Sequence, residues 1–195
     1  MISSCKNYYP SDLLDSNSPI FQEIQQHAGT INLNEGSTFL FPNRVQPSLY
    51  FVKQGILRSY TVHNERDITR WFYGKNNLAT SFQSFLYGLP SDVYMQSLTP
   101  SLLVEVSKDY YNYLCIEYPV FKDFVDQING DYLIKNQAYV DRLKTYSALE
   151  RYEYFMEENP EINRCVQVQH IATFLGITPD TLTKIRKKCS RRQDL

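Results

Sequence analysis

Between residues 31 and 110 the apolar residues come in short runs separated by turn-forming residues. The runs are Thr38–Phe41, Leu49–Lys53, Ile56–Thr61, Thr69–Tyr73, Tyr94–Leu98 and Leu102–Val106. Between them lie Asn34-Glu35-Gly36, Pro42-Asn43, Gln54-Gly55, His63-Asn64, Gly74-Lys75-Asn76 and Thr99-Pro100. Many short strands at this spacing predict an all-β sandwich or barrel. Gln54-Gly55 reads as a tight hairpin turn, because glycine accepts the positive φ that such turns need. Pro19–Ala28 predicts a short helix with Ile20, Phe21 and Ile24 on its apolar side and Gly29 as its stop. Ser81–Tyr87 predicts a helical segment between strands, and residues 1–18, polar and rich in Ser and Asn, a lead-in.

From about Glu117 the period becomes helical. Phe121, Val125, Ile128, Tyr132, Tyr139, Leu143 and Tyr146 recur at spacings of three, four and seven. A helix of about thirty residues spans about 45 Å, more than a small barrel covers. One side should pack on its own domain and another on a second copy, giving a homodimer through residues 118–146. A break at Gly130 would instead leave two ordinary core helices. Ala148–Glu158 continues helically with Leu149, Tyr152 and Phe155 on one side. Asn159-Pro160 ends it, since proline disfavours helical geometry in the preceding residue. The expected class is α+β: a lead-in over 1–18, a β sandwich or barrel over 19–116, a long dimerisation helix over 117–146, and a helical unit over 147–195.

The last unit contains the most informative segment, residues 169–188. Ile171, Ala172 and Leu175 line one side of a first helix, and Gly176 supplies a sharp turn. Ile177 points back into the core. Thr178 is a natural N-cap, Pro179 suits the first helical position, and Asp180 opposes the helix dipole favourably. Leu182 and Ile185 anchor the second helix. Its other face carries Thr181, Thr183, Lys184, Lys187 and Lys188. This is the pattern of a helix-turn-helix whose second helix enters a major groove. Thr178, Thr181, Thr183 and Lys184 are the candidates for base edges or nearby phosphates. Lys187, Lys188, Arg191 and Arg192 are the candidates for phosphate neutralisation. A plain helical hairpin with a solvated basic edge is the competing reading.

Charge supports the first reading. From Arg164 to Leu195 there are seven Lys or Arg against two Asp, whereas the rest carries thirteen basic and nineteen acidic residues. A basic end on an acidic body suits a polyanion partner. With 43% hydrophobic residues, 16 Tyr and 11 Phe, the chain is too apolar to remain disordered. Cys5, Cys115, Cys165 and Cys189 form no CxxC pair, and the histidines are far apart, so neither a metal nor another cofactor is expected. The cysteines read as reduced, with Cys115 buried. No apolar stretch approaches a membrane span, and Met1–Pro10 lacks a signal peptide's apolar centre, so a cytoplasmic location without membrane contact is expected. No nucleophile motif, phosphate-cradling glycine loop or HExxH is present, which argues against an enzyme.

Several motifs also resemble one family. Tyr50-Phe51-Val52-Lys53-Gln54-Gly55-Ile56-Leu57-Arg58, Ser84-Phe85 followed by Pro90-Ser91, Ala148-Leu149-Glu150-Arg151-Tyr152 and Ile171 through Pro179 together resemble the Crp/Fnr transcription regulators. The similarity is greatest to the short branch common in Bacteroidetes. It covers nearly the whole chain. It implies an N-terminal cyclic-nucleotide-binding-like β-roll, a long dimer helix and a C-terminal helix-turn-helix bound to double-stranded DNA. Positions that touch bases in cyclic-AMP-responsive relatives match Pro179, Asp180 and Lys184, where an arginine and a glutamate have become proline and aspartate. The wing that follows the recognition helix in that family is expected to be truncated or absent. Cyclic-nucleotide binders hold the ribose with a Gly-Glu pair and the phosphate with an Arg-Ser pair. This chain has Thr80-Ser81-Phe82 and Pro90-Ser91 there, so cyclic AMP in the usual mode is not expected. Phe82, Phe85, Leu86, Pro90 and Ser91 mark a possible pocket, either for an unknown small effector or simply filled by its own aromatics. A small-ligand-sensing or protein-interaction module with a vestigial helix-turn-helix is the alternative function.

Overall fold

The structure is a computed structural model and describes residues 19–193. The sequence-predicted lead-in over 1–18 lies outside the described residues. Two four-stranded antiparallel sheets form the N-terminal half. One has the order β1 (Gly29–Leu33), β8 (Ser101–Ser107), β3 (Ser48–Gln54) and β6 (Leu78–Ala79). The other has the order β2 (Thr38–Leu40), β7 (Tyr94–Ser97), β4 (Leu57–His63) and β5 (Arg66–Tyr73). Side chains alternate across β3 as a pleated strand requires. Tyr50 and Val52 enter a core shared by both sheets with Leu57, Met95 and Leu103. Leu49 and Phe51 face the opposite side, toward helices.

The sequence-predicted hairpin at Gln54-Gly55 is not one. β3 and β4 belong to different sheets, and β4 pairs instead with β5 and β7. Gly55 (φ 94°) is the corner at which the chain leaves one sheet for the other. The real hairpin is β4–β5, closed by Asn64 (φ 49°) and Glu65 (φ 61°). Two successive left-handed residues make the twist of that turn match the strands.

Around the roll lie α1 (Pro19–His27), α2 (Phe82–Tyr87), α3 (Lys108–Glu117) and α4 (Pro119–Thr145). Helical structure thus begins at Lys108, earlier than the sequence pattern predicts, with the Ser107 hydroxyl accepting from the Tyr110 N–H. Cys115 is half-buried rather than buried. α4 runs unbroken through Gly130, so the chain does not divide there. Its 27 residues span about 40 Å. Phe121, Phe124, Val125 and Ile128 bury against Leu49, Phe85 and Leu114. Farther along, Tyr132 and Tyr139 meet Trp71 edge-on. The apolar stripe seen in the sequence therefore serves its own subunit, apart from Tyr146, which follows α4 and is exposed. A different face exposes Val120, Leu133, Ile134 and Val140.

The chain ends in α5 (Ala148–Glu158), α6 (Pro160–Cys165), α7 (Val168–Phe174) and α8 (Pro179–Gln193). Ser147 and Glu150 form a reciprocal capping box at the start of α5. These helices share one core with the roll: Phe72 and Ile56 pack with Phe155, Ile171, Phe174 and Leu182. Strand β5, an edge of its sheet, is thereby covered by α7, which removes an exposed pairing edge. No helix of the described residues is long and apolar enough to cross a membrane.

Candidate nucleic-acid interface

Local chemistry dictates the turn between α7 and α8. Gly176 takes φ 67°, the left-handed conformation in which other residues are strained. Its N–H donates to Thr173 O, and the Ile177 N–H donates to Ala172 O, which satisfies the last carbonyls of α7. Thr178 then caps α8: its hydroxyl oxygen accepts from the Thr181 N–H at 3.2 Å. Leu182 is fully buried, with Ile185 and Cys189 beside it. Arg186, on the same inner side, donates to Asn163 Oδ1 at 2.8 Å and to Asn163 O at 3.2 Å. It fixes α8 to α6. Sequence reading missed this anchor, although 182, 185, 186 and 189 follow helical spacing.

The outer face of α8 is open. Thr183, Lys184, Lys187 and Lys188 are exposed, and the three lysines share one side of the helix. The threonines are less free than the sequence suggests. Thr181 and Thr178 share a hydrogen bond between their hydroxyls at 2.8 Å, and the Thr183 hydroxyl donates to Pro179 O. Lys184 is thus the foremost side chain on this face with unused donors. Arg191 and Arg192 continue α8, and their side chains lie outside the described residues. Among the described residues no strand follows α8.

Behind this face a buried guanidinium ties α7 to the roll. Arg58 on β4 is 1% exposed. It donates to Asp67 Oδ2 at 2.6 Å, Gln96 Oε1 at 2.9 Å and Thr69 Oγ1 at 3.4 Å. It also donates to His170 Nδ1 on α7 at 2.8 Å, and it lies 4.0 Å above the Tyr60 ring. Nearby, the Thr69 N–H donates to the Thr173 hydroxyl, and the Tyr139 hydroxyl donates to Phe174 O.

His170 must be neutral to accept from Arg58. Burial, then the Arg58 charge, push its pKa down to about 4, against a smaller opposing pull from Asp67. An unfolded histidine binds its proton near pH 6.5. Between those two values the unfolded chain holds a proton that the folded chain lacks. Stability supplied by this pair is therefore full above about 6.5 and is lost as pH falls toward about 4. The urea midpoint is expected to drop between about pH 7 and about pH 5, and to drop less in His170→Gln. Equal slopes in the two proteins would count against the assignment.

The five residues of the sequence-predicted pocket scatter. Phe85 packs edge-on against Tyr111 in the helical core, with Lys108 Nζ 4.2 Å from its ring. Leu86 and Pro90 are exposed. The buried Ser91 hydroxyl donates to Val93 O and accepts from the Val93 N–H. Phe82, like Phe85, reaches toward α4, with its ring 5.4 Å from that of Tyr132.

No protein-family model and no curated protein matches the chain. Solved structures do. The global regulator CLP of Xanthomonas campestris, described as c-di-GMP-responsive, is 14% identical, with a TM-score of 0.73 over 89% of this chain and 91% of that one. A mutant of CooA from Carboxydothermus hydrogenoformans is 14% identical, with a TM-score of 0.74 over 94% and 84%. A CRP/FNR-family transcriptional regulator from Thermus thermophilus is 18% identical, with a TM-score of 0.69 over 84% and 87%. The likeness is one of architecture, and the chain has the fold of the CRP/FNR transcription regulators.

Proposed function

We propose that this protein is a sequence-specific, DNA-binding transcription regulator that works in the cytoplasm as a homodimer and does not answer to cyclic AMP. The observation that carries the reading is the outer face of α8. It is a capped, rigidly anchored helix presenting Lys184, Lys187 and Lys188 to solvent in a fold shared with such regulators. Lysines so placed neutralise phosphates while the start of the helix lies closest to base edges. Lys184 serves as a base or near-base contact, with Thr178, Thr181 and Thr183 beside it. Lys187, Lys188, Arg191 and Arg192 serve the backbone.

The apolar face of α4 supports the dimer. Val120, Leu133, Ile134 and Val140 are between 37% and 60% exposed, unusual for four apolar residues on one helix. Pairing two copies along α4 buries them and places two α8 helices for successive major grooves about 34 Å apart. The operator is then an inverted repeat. The roll interior supports independence from cyclic AMP: Tyr50, Tyr73 and Met95 fill it, and the Tyr73 hydroxyl donates to Ser59 Oγ.

Binding to duplex DNA across a range of salt concentrations tests the proposal. Each phosphate neutralised contributes about −0.9 to the slope of log K against log salt. Because both copies in the homodimer lose these side chains, Lys184→Ala combined with Lys187→Ala is expected to flatten that slope by about 2–4 and to weaken binding about 10–100-fold at moderate salt. Binding that ignores salt, or a slope untouched by the pair, would remove the reading.

A further inference from the structure

A cavity of about 200 Å³ opens where the roll, α4 and the C-terminal helices meet. Trp71, Tyr132, Tyr139, Tyr154 and Phe174 give it aromatic walls. Lys135, Arg142 and Arg151 also line it, with Asp131 and Glu158. None of the three cations forms an ion pair among the described residues. The Arg142 guanidinium carbon lies 3.9 Å from the centre of the Tyr154 ring, and among the described residues no side chain pairs with its nitrogens. Arg151 donates through Nη1 to Leu143 O and Tyr146 O, and its Nε, shut off from solvent like that of Arg186, has no acceptor among the described residues.

We propose that this cavity binds a small aromatic carboxylate. The ring lies against Trp71 and Tyr139, and the carboxylate faces Arg142, Arg151 and Lys135. Size fits: a dry cavity of about 150 Å³ already accepts benzene, so this one holds one ring or a fused pair with its acid group. Charge fits as well. A carboxylate supplies the acceptor that guanidinium edges match in shape, whereas a cation has Asp131 and Glu158 to set against three like charges and a neutral ring leaves the donors idle. The site borders the roll interior at Tyr73, and that interior is filled by Tyr50, Val52, Met95 and Leu103. Its walls come from β5, α4, α5 and α7 at once, so an occupant that favours one arrangement of these parts shifts how α8 is presented. That last consequence rests on the DNA-binding reading; occupancy of the cavity does not.

Trp71 is the single tryptophan of the chain, so its emission reports the site directly. The full chain, without DNA, is titrated with benzoate and 2-naphthoate, and with benzamide and 2-naphthamide as neutral counterparts. A saturable change in Trp71 emission is expected with at least one acid, about tenfold weaker with its amide. Arg142→Gln and the exposed-site variant Lys135→Gln are each expected to weaken the acid severalfold, with the urea midpoint unchanged for Lys135→Gln. No saturable change with either acid overturns the proposal. So do equal affinities for acid and amide, or acid affinities indifferent to both substitutions. Loss of DNA binding with acid binding intact would sink only the regulatory reading.

Discussion

Arg58→Met is expected to lower the free energy of unfolding by about 3–5 kcal/mol and the melting temperature by about 10 °C. Methionine replaces the aliphatic stem but none of the donors. Arg58 is nearly sealed from solvent, and its partners lie on β5, β7 and α7. Asp67 is 43% exposed and can regain water, so its charge is not the main cost. The cost comes from Thr69 and His170, which are buried and lose a donor. An unsatisfied buried group is worth about 1–3 kcal/mol. The vacated guanidinium volume over Tyr60 adds a cavity term. Lysine is expected to recover less than half, because one ammonium cannot reach four acceptors that a planar fork spans. Urea unfolding followed by Trp71 emission and by far-ultraviolet dichroism checks this. Trp71 sits 6.0 Å from Phe174 of α7, so its transition should move to lower urea than the helical signal. A variant within about 1 kcal/mol of the parent would show that the guanidinium does not hold α7 to the roll.

How far the sequence reveals this architecture depends on whether a signal is local. The turn between α7 and α8 was legible because Gly176, Thr178, Pro179 and Leu182 each state their conformation within a few residues. The six sequence-predicted strands reappear for the same reason. Others had too little length to show alternation: β6 is two residues long. Gly29 reads as a helix stop, yet it opens β1, paired with Glu105, a partner that no local pattern names. α3 was missed because only Leu114 of its ten residues is fully buried, so it carries no stripe. On α4 the period announced a helix, but not which stripe meets the roll and which stays exposed.

The candidate site divides in the same way. Exposure of Lys184, Lys187 and Lys188 followed from their spacing against Leu182 and Ile185. Arg58 did not follow from anything nearby. Its partners lie 9, 11, 38 and 112 positions away, and an arginine in a strand reads as an outward residue until those partners are known. Nor does sequence show that the Thr181 and Thr183 hydroxyls turn back onto the start of α8, which leaves Lys184 as the foremost exposed side chain there with unused donors.

Gly55→Ala is expected to cost about 2–5 kcal/mol, the sum of left-handed strain and overpacking at the corner between the sheets. Glycine is required there twice over. The backbone sits at φ 94°, where an L side chain is strained. A Cβ would also fall 2.0 Å from Ser101 Oγ, 2.7 Å from Ser101 Cβ and 2.8 Å from Pro100 O. Rotating the hydroxyl relieves only the first contact. The other two involve the backbone and the root of a side chain, so β8 must shift against β3. Ser101 is also hydrogen-bonded to Ser97 Oγ and Thr99 O, and its displacement breaks that cluster. Gly176→Ala separates the two causes. Its φ of 67° carries the same handedness, but the added Cβ meets only Leu143 Cδ2 at 3.5 Å, an ordinary contact. Its expected cost is about 1 kcal/mol. Thermal unfolding of both variants decides the matter, and equal losses would mean that φ alone, not the crossing of the two sheets, demands glycine at position 55.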